Sequence, residues 1–123
     1  MLKLRELDES VAIRDQLADE NPEPVVLVNL FHVAPEHADA LIEAWAEDAK
    51  YFRAQPGFIS TQLHRGIAGS GVFLNYAVWE SVGAFRAAFG NPAFRATLAN
   101  YPDGATASPH LFRKMAVDGL CVA

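Results

Sequence analysis

The sequence predicts an α+β fold of the ferredoxin-like type: a four-stranded antiparallel sheet in the order βαββαβ, preceded by an N-terminal arm. Three observations carry that prediction. Four short runs are rich in β-branched and aromatic residues, two stretches of helical apolar spacing lie between them, and breaks containing Pro or Gly separate most of the segments. The chain divides into an arm and linker over 1–24 and a core domain over 25–123. With 123 residues, 51% of them apolar, there is material for one core and no second domain.

Leu4, Leu7, Val11 and Leu17 recur at loosely helical spacing, so the arm from Leu4 to Ala18 is expected to be an amphipathic helix that ends before Asn21-Pro22-Glu23-Pro24. Val25 to Val33 is the first core strand, too short and too β-branched for a helix. Pro35 suits a first helical turn, and Leu41, Ile42, Trp45, Ala49 and Phe52 follow at helical spacing, with Glu43, Glu47 and Asp48 assigned to the opposite, solvated face. Gln55-Pro56-Gly57 closes that helix. Phe58 to Arg65 and Val72 to Glu80 form a hairpin across the flexible 66–71 connection. Ser81 is a good N-cap for a second helix carrying Phe85 and Phe89, and Gly90-Asn91-Pro92 breaks it before Phe94 to Tyr101 resumes. Residues 102–109 read as a loop and His110 to Val117 as the last strand. Helices on one face of such a sheet leave the other uncovered, so a second copy is expected there, giving a homodimeric α+β barrel.

Composition narrows the function. A formal net charge of −5 without a basic run excludes the electrostatic footprint of a nucleic-acid binder. One cysteine, Cys121, allows neither an internal disulfide nor a thiolate metal cluster, which fits a reducing cytoplasm. The first residues mix charges with apolar side chains, so neither a leader nor a membrane span is expected. His32, His37 and His110 lack metal-ligand spacing, and no phosphate-binding glycine motif or nucleophile elbow occurs, so no metal, nucleotide cofactor or hydrolase chemistry is expected.

The polar residues that stand out lie on strands. In Val72 to Glu80, alternation places Phe73, Asn75, Ala77 and Trp79 on one face. Asn75 is an amide among hydrophobes and must find a partner or a ligand. Asn29 raises the same question in the first strand, and the strand pairing usual in this fold would turn both amides to one cavity. His64, at the end of the second strand, is expected to join the same wall. Taken singly, each Asn is equally well a satisfied core amide, a strand His is more often structural, and Trp79 alone is more often core.

Gln55-Pro-Gly-Phe-Ile-Ser-Thr-Gln-Leu-His64, then Asn75-Tyr-Ala-Val-Trp-Glu-Ser81 and Ala84-Phe-Arg86, resemble the antibiotic biosynthesis monooxygenase family over roughly 25–117. Within that family the resemblance is to cofactor-free oxygenases of aromatic polyketide biosynthesis, the actinorhodin-pathway enzyme among them. It implies that Asn75 and Trp79 are catalytic, that Asn29, His64, Phe85 and Arg95 contact substrate, and that no cofactor is used beyond O2 as co-substrate. Phe85 departs from the Tyr that the actinorhodin-pathway enzyme carries there, so the hydroxyl contact is missing. Haem-degrading relatives are implied less, because the positions of their helix Trp and axial His read Ala88 and Leu98. The expected reaction is oxidation of a polycyclic phenol or anthrone to a quinone, with Asn75 and Asn29 holding an enolate, Trp79 facing the reduced oxygen, His64 taking the first proton and Arg95 orienting the substrate. A non-catalytic protein that binds aromatic ligands or assembles a complex is the alternative from a different class, and an aldehyde- or quinol-processing relative is a lesser one.

Overall fold

The computed structural model describes residues 1–123. The chain forms β1 (Lys3–Leu4), α1 (Ile13–Gln16), β2 (Val25–His32), α2 (Ala38–Arg53) after a 3-10 turn at Pro35–His37, β3 (Phe58–Arg65), β4 (Val72–Trp79), α3 (Val82–Phe89), α4 (Pro92–Thr97) and β5 (Thr106–Phe112). The sheet order is β1-β5-β2-β4-β3, with every pair antiparallel except β1 on β5. The strands β5, β2, β4 and β3 have the ferredoxin-like arrangement, and the arm adds a fifth at the β5 edge. No helix is long and apolar enough to cross a membrane.

Local chemistry explains the boundaries. Ser81 accepts a hydrogen bond from the Ala84 N–H at 3.1 Å and starts α3; Asn91 does the same for Ala93 at 2.8 Å and starts α4, with Pro92 in the first helical position. Gly57 has φ +86°, and a Cβ there would lie 2.4 Å from the Ala84 Cβ, so the turn into β3 requires glycine.

Three expectations are corrected. The arm is not a helix from Leu4 to Ala18: it contributes a two-residue strand and a single helical turn, because β5 offers an edge that an extended arm can satisfy and an isolated amphipathic helix cannot. The sheet therefore has five strands rather than four. The last strand runs from Thr106 to Phe112 instead of His110 to Val117, because Pro109 does not break it.

Pro109 is tolerated for a specific reason. Ala105 and Ala107 turn their carbonyls to the arm, accepting from Lys3 N–H at 3.1 Å and Arg5 N–H at 2.8 Å. By strand alternation Pro109 points to the same edge, beyond the end of β1, where a missing N–H costs nothing. Two residues later the Gln16 side chain acts as a surrogate strand: its Oε1 accepts from Leu111 N–H at 2.9 Å and its Nε2 donates to the Leu111 carbonyl at 3.0 Å. The arm thus covers the edge strand that would otherwise pair with another chain.

All the helices of the core pack on one face of the sheet. Its apolar residues form two clusters, one around Phe31, Leu41, Phe73 and Tyr101, the other around Leu27, Trp79, Phe85 and Leu111. Between them the inward-facing row across the sheet reads Pro109, Asn29, Asn75, Leu63. The polar site sits at this seam.

Candidate active site

Asn29 and Asn75 are direct cross-strand partners in the β2–β4 ladder, which puts their backbones about 5 Å apart on the same face. The Asn75 Oδ1 accepts a hydrogen bond from Thr61 Oγ1 at 2.5 Å, so its NH2 is the end left for another molecule. The Asn29 Oδ1 is buried and has no partner. The Trp79 Nε1, on a side chain only 1% exposed, is likewise buried without an acceptor. Unpaired buried polar atoms each cost roughly 1–3 kcal/mol, so finding them along one face calls for an explanation.

These residues line one cavity between the sheet and the helices. The space they enclose is about 50 Å³, and 14 of its 19 lining residues are hydrophobic. Aromatic rings shape it: Phe58, Phe85 and Phe52 meet the Trp79 ring with centroids at 5.4, 5.6 and 6.0 Å, edge to face in each case. Phe85 is 1% exposed and also packs on Phe89 at 5.1 Å. Leu2 and Leu4 of the arm complete the wall. An apolar enclosure with a few convergent polar groups is the form expected of a small-molecule site.

The structure therefore brings Asn29, Asn75, Trp79 and Phe85 together, and leaves His64 and Arg95 outside. His64 pairs with Leu74, one residue out of phase with the Leu63–Asn75 pair, so its exposed ring points to the outer face of the sheet with Nδ1 3.3 Å from the Leu74 carbonyl. Thr61 occupies the place in the wall expected of it. Arg95 lies on the exposed side of α4, where Phe94 takes the inward position.

Sequence reasoning missed a carboxylate. Asp48, assigned above to the solvated face of its helix, is 5% exposed and lines the cavity. Its Oδ2 accepts from Tyr101 Oη at 2.5 Å, while its Oδ1 is buried with no partner. Burial pushes the Asp48 carboxyl above the usual carboxylate range, against the Tyr101 hydroxyl bonded to it and the nearby Thr97 hydroxyl, which itself donates to the Phe94 carbonyl. Burial raises the Tyr101 phenol, and the Asp48 charge beside it raises it further. The signal was present: Leu41, Trp45, Asp48 and Phe52 form an i, i+4, i+7, i+11 stripe that turns Asp48 inward. No group of three His, Cys, Asp or Glu side chains is placed to hold a metal ion.

Comparison with known proteins identifies the family and the fold. Residues 24–100 match the model of a family described as antibiotic biosynthesis monooxygenase. Tetracenomycin-F1 monooxygenase of Streptomyces glaucescens is 40% identical over 76 residues, 58% of this chain; the match spans 64% of that protein's length. SnoaB of Streptomyces nogalater, described as a cofactor-independent oxygenase, superposes with a TM-score of 0.68 at 29% identity, covering 79% of this chain and 98% of SnoaB. A protein of known structure from Shewanella loihica PV-4 is 33% identical, with a TM-score of 0.65, over 77% of this chain and 97% of its own.

Proposed function

The chain belongs to the antibiotic biosynthesis monooxygenase family, and on that premise we propose that it is a cofactor-free monooxygenase oxidising a polycyclic phenol or anthrone to a quinone. The observation that carries this reading is the set of unsatisfied polar atoms, Asn29 Oδ1 and Trp79 Nε1, beside the free amide of Asn75 in an otherwise apolar aromatic cavity. The names of two relatives, a tetracenomycin-F1 monooxygenase and a cofactor-independent oxygenase, point to the same chemistry.

An anthrone that loses a proton becomes an enolate electron-rich enough to reduce O2 directly. One oxygen atom is then retained as the new carbonyl, and the other leaves as water with the two hydrogens of the oxidised methylene. In this scheme the protein's task is to hold a flat anion, donate hydrogen bonds to its oxygen and keep water away from the oxygen intermediate. The Asn75 NH2 suits the enolate oxygen, and the Trp79 indole N–H suits the reduced oxygen species. Asn29 Oδ1 accepts from a hydroxyl on the substrate. Four residues of strand separate Asn75 from Trp79, about 13 Å, so a molecule touching both needs several fused rings.

The outer face of the sheet bears on assembly. Val28, Leu30, Leu74 and Val78 are only half-buried there, and Tyr76 and Phe112 stay 42% and 41% exposed. A second copy covering this face would complete the homodimer expected of the fold.

Oxygen uptake by metal-stripped protein supplied with an anthrone tests the reading. Uptake with stoichiometric quinone is the expected outcome. Ligand-dependent quenching of Trp fluorescence without any oxygen consumption across a panel of anthrones and naphthols would instead establish a binding protein.

A further inference from the structure

The displacement of His64 to the outer face leaves the proposed reaction without a base, since the Asn29, Asn75, Thr61 and Trp79 side chains hold no proton acceptor strong enough at neutral pH. The geometry points to Asp48 as the catalytic base that removes the substrate proton, an inference that rests on the oxygenase reading and supplies the step that reading lacks.

Asp48 is the one carboxylate among the cavity-lining residues, carried on α2 so that it faces the sheet wall bearing Asn29 and Asn75. Its two oxygens have different roles. Oδ2 is held by the Tyr101 hydroxyl at 2.5 Å, which sets the plane of the carboxylate. Oδ1 is buried and unpaired, and is the oxygen free to accept a proton. No salt-bridge partner neutralises Asp48: the ion pairs of the chain lie elsewhere, and the cations of its own helix, Lys50 and Arg53, are exposed. From the neighbouring elements it meets Thr97 of α4 and Tyr101, together with the neutral amides across the cavity. A carboxylate desolvated in this way is a stronger base than one in water, and burial accordingly raises its proton affinity.

The step balances within the site. A substrate C–H or O–H bond breaks, an O–H bond forms on Asp48 Oδ1, and the electron pair stays on the substrate as the enolate that Asn75 receives. Asp48 passes from carboxylate to carboxylic acid and can return its proton to the reduced oxygen that leaves as water. Tyr101, which touches Asp48 and orients it, is a positioning residue for this step.

Deprotonation can be observed apart from oxygenation. Wild type, Asp48→Asn and Tyr101→Phe are mixed anaerobically with an anthrone, and the visible absorbance of the enolate is followed by stopped flow as a function of pH. Wild type is expected to form the enolate along an acid limb whose midpoint lies above the ordinary carboxylate range. Asp48→Asn, which keeps an oxygen to accept from Tyr101, is expected to lose at least about 100-fold in rate and to lose that limb. Tyr101→Phe removes a hydrogen bond that favours the carboxylate, so its limb is expected to move to higher pH while the plateau rate persists. This variant decides the question if Asp48→Asn fails to fold. Enolate formation by Asp48→Asn at the wild-type rate, or an acid limb unmoved by Tyr101→Phe, overturns the assignment. Enolate formation by wild type without oxygen uptake on admitting air, and its loss in Asp48→Asn, would uphold Asp48 while refuting the oxygenase reading.

Discussion

Removing the Asn75 side chain separates catalysis from stability in a way the structure makes quantitative. If its NH2 stabilises the developing enolate, Asn75→Ala removes a hydrogen bond to a charged group, worth about 1.5–3 kcal/mol. At about 1.4 kcal/mol per tenfold in rate, kcat is expected to fall roughly 10- to 150-fold. The fold loses less: the half-buried bond from Thr61 Oγ1 at 2.5 Å is neutral, worth about 0.5–1.5 kcal/mol, which for a chain of this size lowers Tm by roughly 2–6 °C. Thr61→Val removes the same bond from the other side and leaves the amide in place but unanchored, so a smaller loss of kcat, about 3- to 10-fold, is expected. Because Thr61 acts through Asn75, the double variant should be no slower than Asn75→Ala alone. Oxygen-electrode rates with thermal melts of the four proteins complete the cycle. Effects on kcat that simply add, or an Asn75→Ala rate within twofold of wild type, would refute the reasoning.

Trp79→Phe keeps an aromatic ring against Phe52, Phe58 and Phe85 and removes an N–H that makes no hydrogen bond within the protein; Tm is expected to fall by only a few degrees and kcat by about tenfold or more, and an unchanged kcat would exclude the indole N–H from the oxygen step. His64→Ala and Arg95→Ala alter exposed side chains outside the cavity, so kcat/KM should stay within about twofold of wild type; a tenfold loss in either would mean that the site extends beyond this cavity. Asp48 also leaves a mark on stability. Its folded pKa lies above the unfolded 3.8, so between those values the folded chain binds more protons and stability falls as pH rises. Asp48→Asn should therefore flatten the fall of Tm with pH in the weakly acid range and raise Tm at pH 7 relative to wild type, as calorimetry across that range would show.

The core elements were legible because their signals are local. Two-residue alternation separates inward Phe73, Asn75, Ala77 and Trp79 from outward Leu74, Tyr76 and Val78, the Ser81 cap marks where α3 begins, and the Gly90-Asn91-Pro92 break marks where it gives way to α4. Asn29 and Asn75 could be matched across strands once the strand order was assumed. His64 shows where such reading stops: the residue is near Asn75 in the hairpin, yet a register offset of one residue sends it to the other face, and no feature of the strand itself states the register. Asp48 shows the converse, since acidity argued for solvent while its place in the 41, 45, 48, 52 stripe argued for the core.

By itself the sequence determined the βαββαβ order and the inward face of β4, since each follows from periodicity and capping within a dozen residues, and it singled out Asn29 and Asn75 as amides among hydrophobes. Tertiary structure alone decided the rest. It made an extended clasp of the arm, because β5 had an open edge for Gln16 and β1 to satisfy. It excluded His64 through register, and it placed Asp48 against Tyr101, 53 residues away, in an apolar cavity where a carboxylate becomes a stronger base than it would be in water.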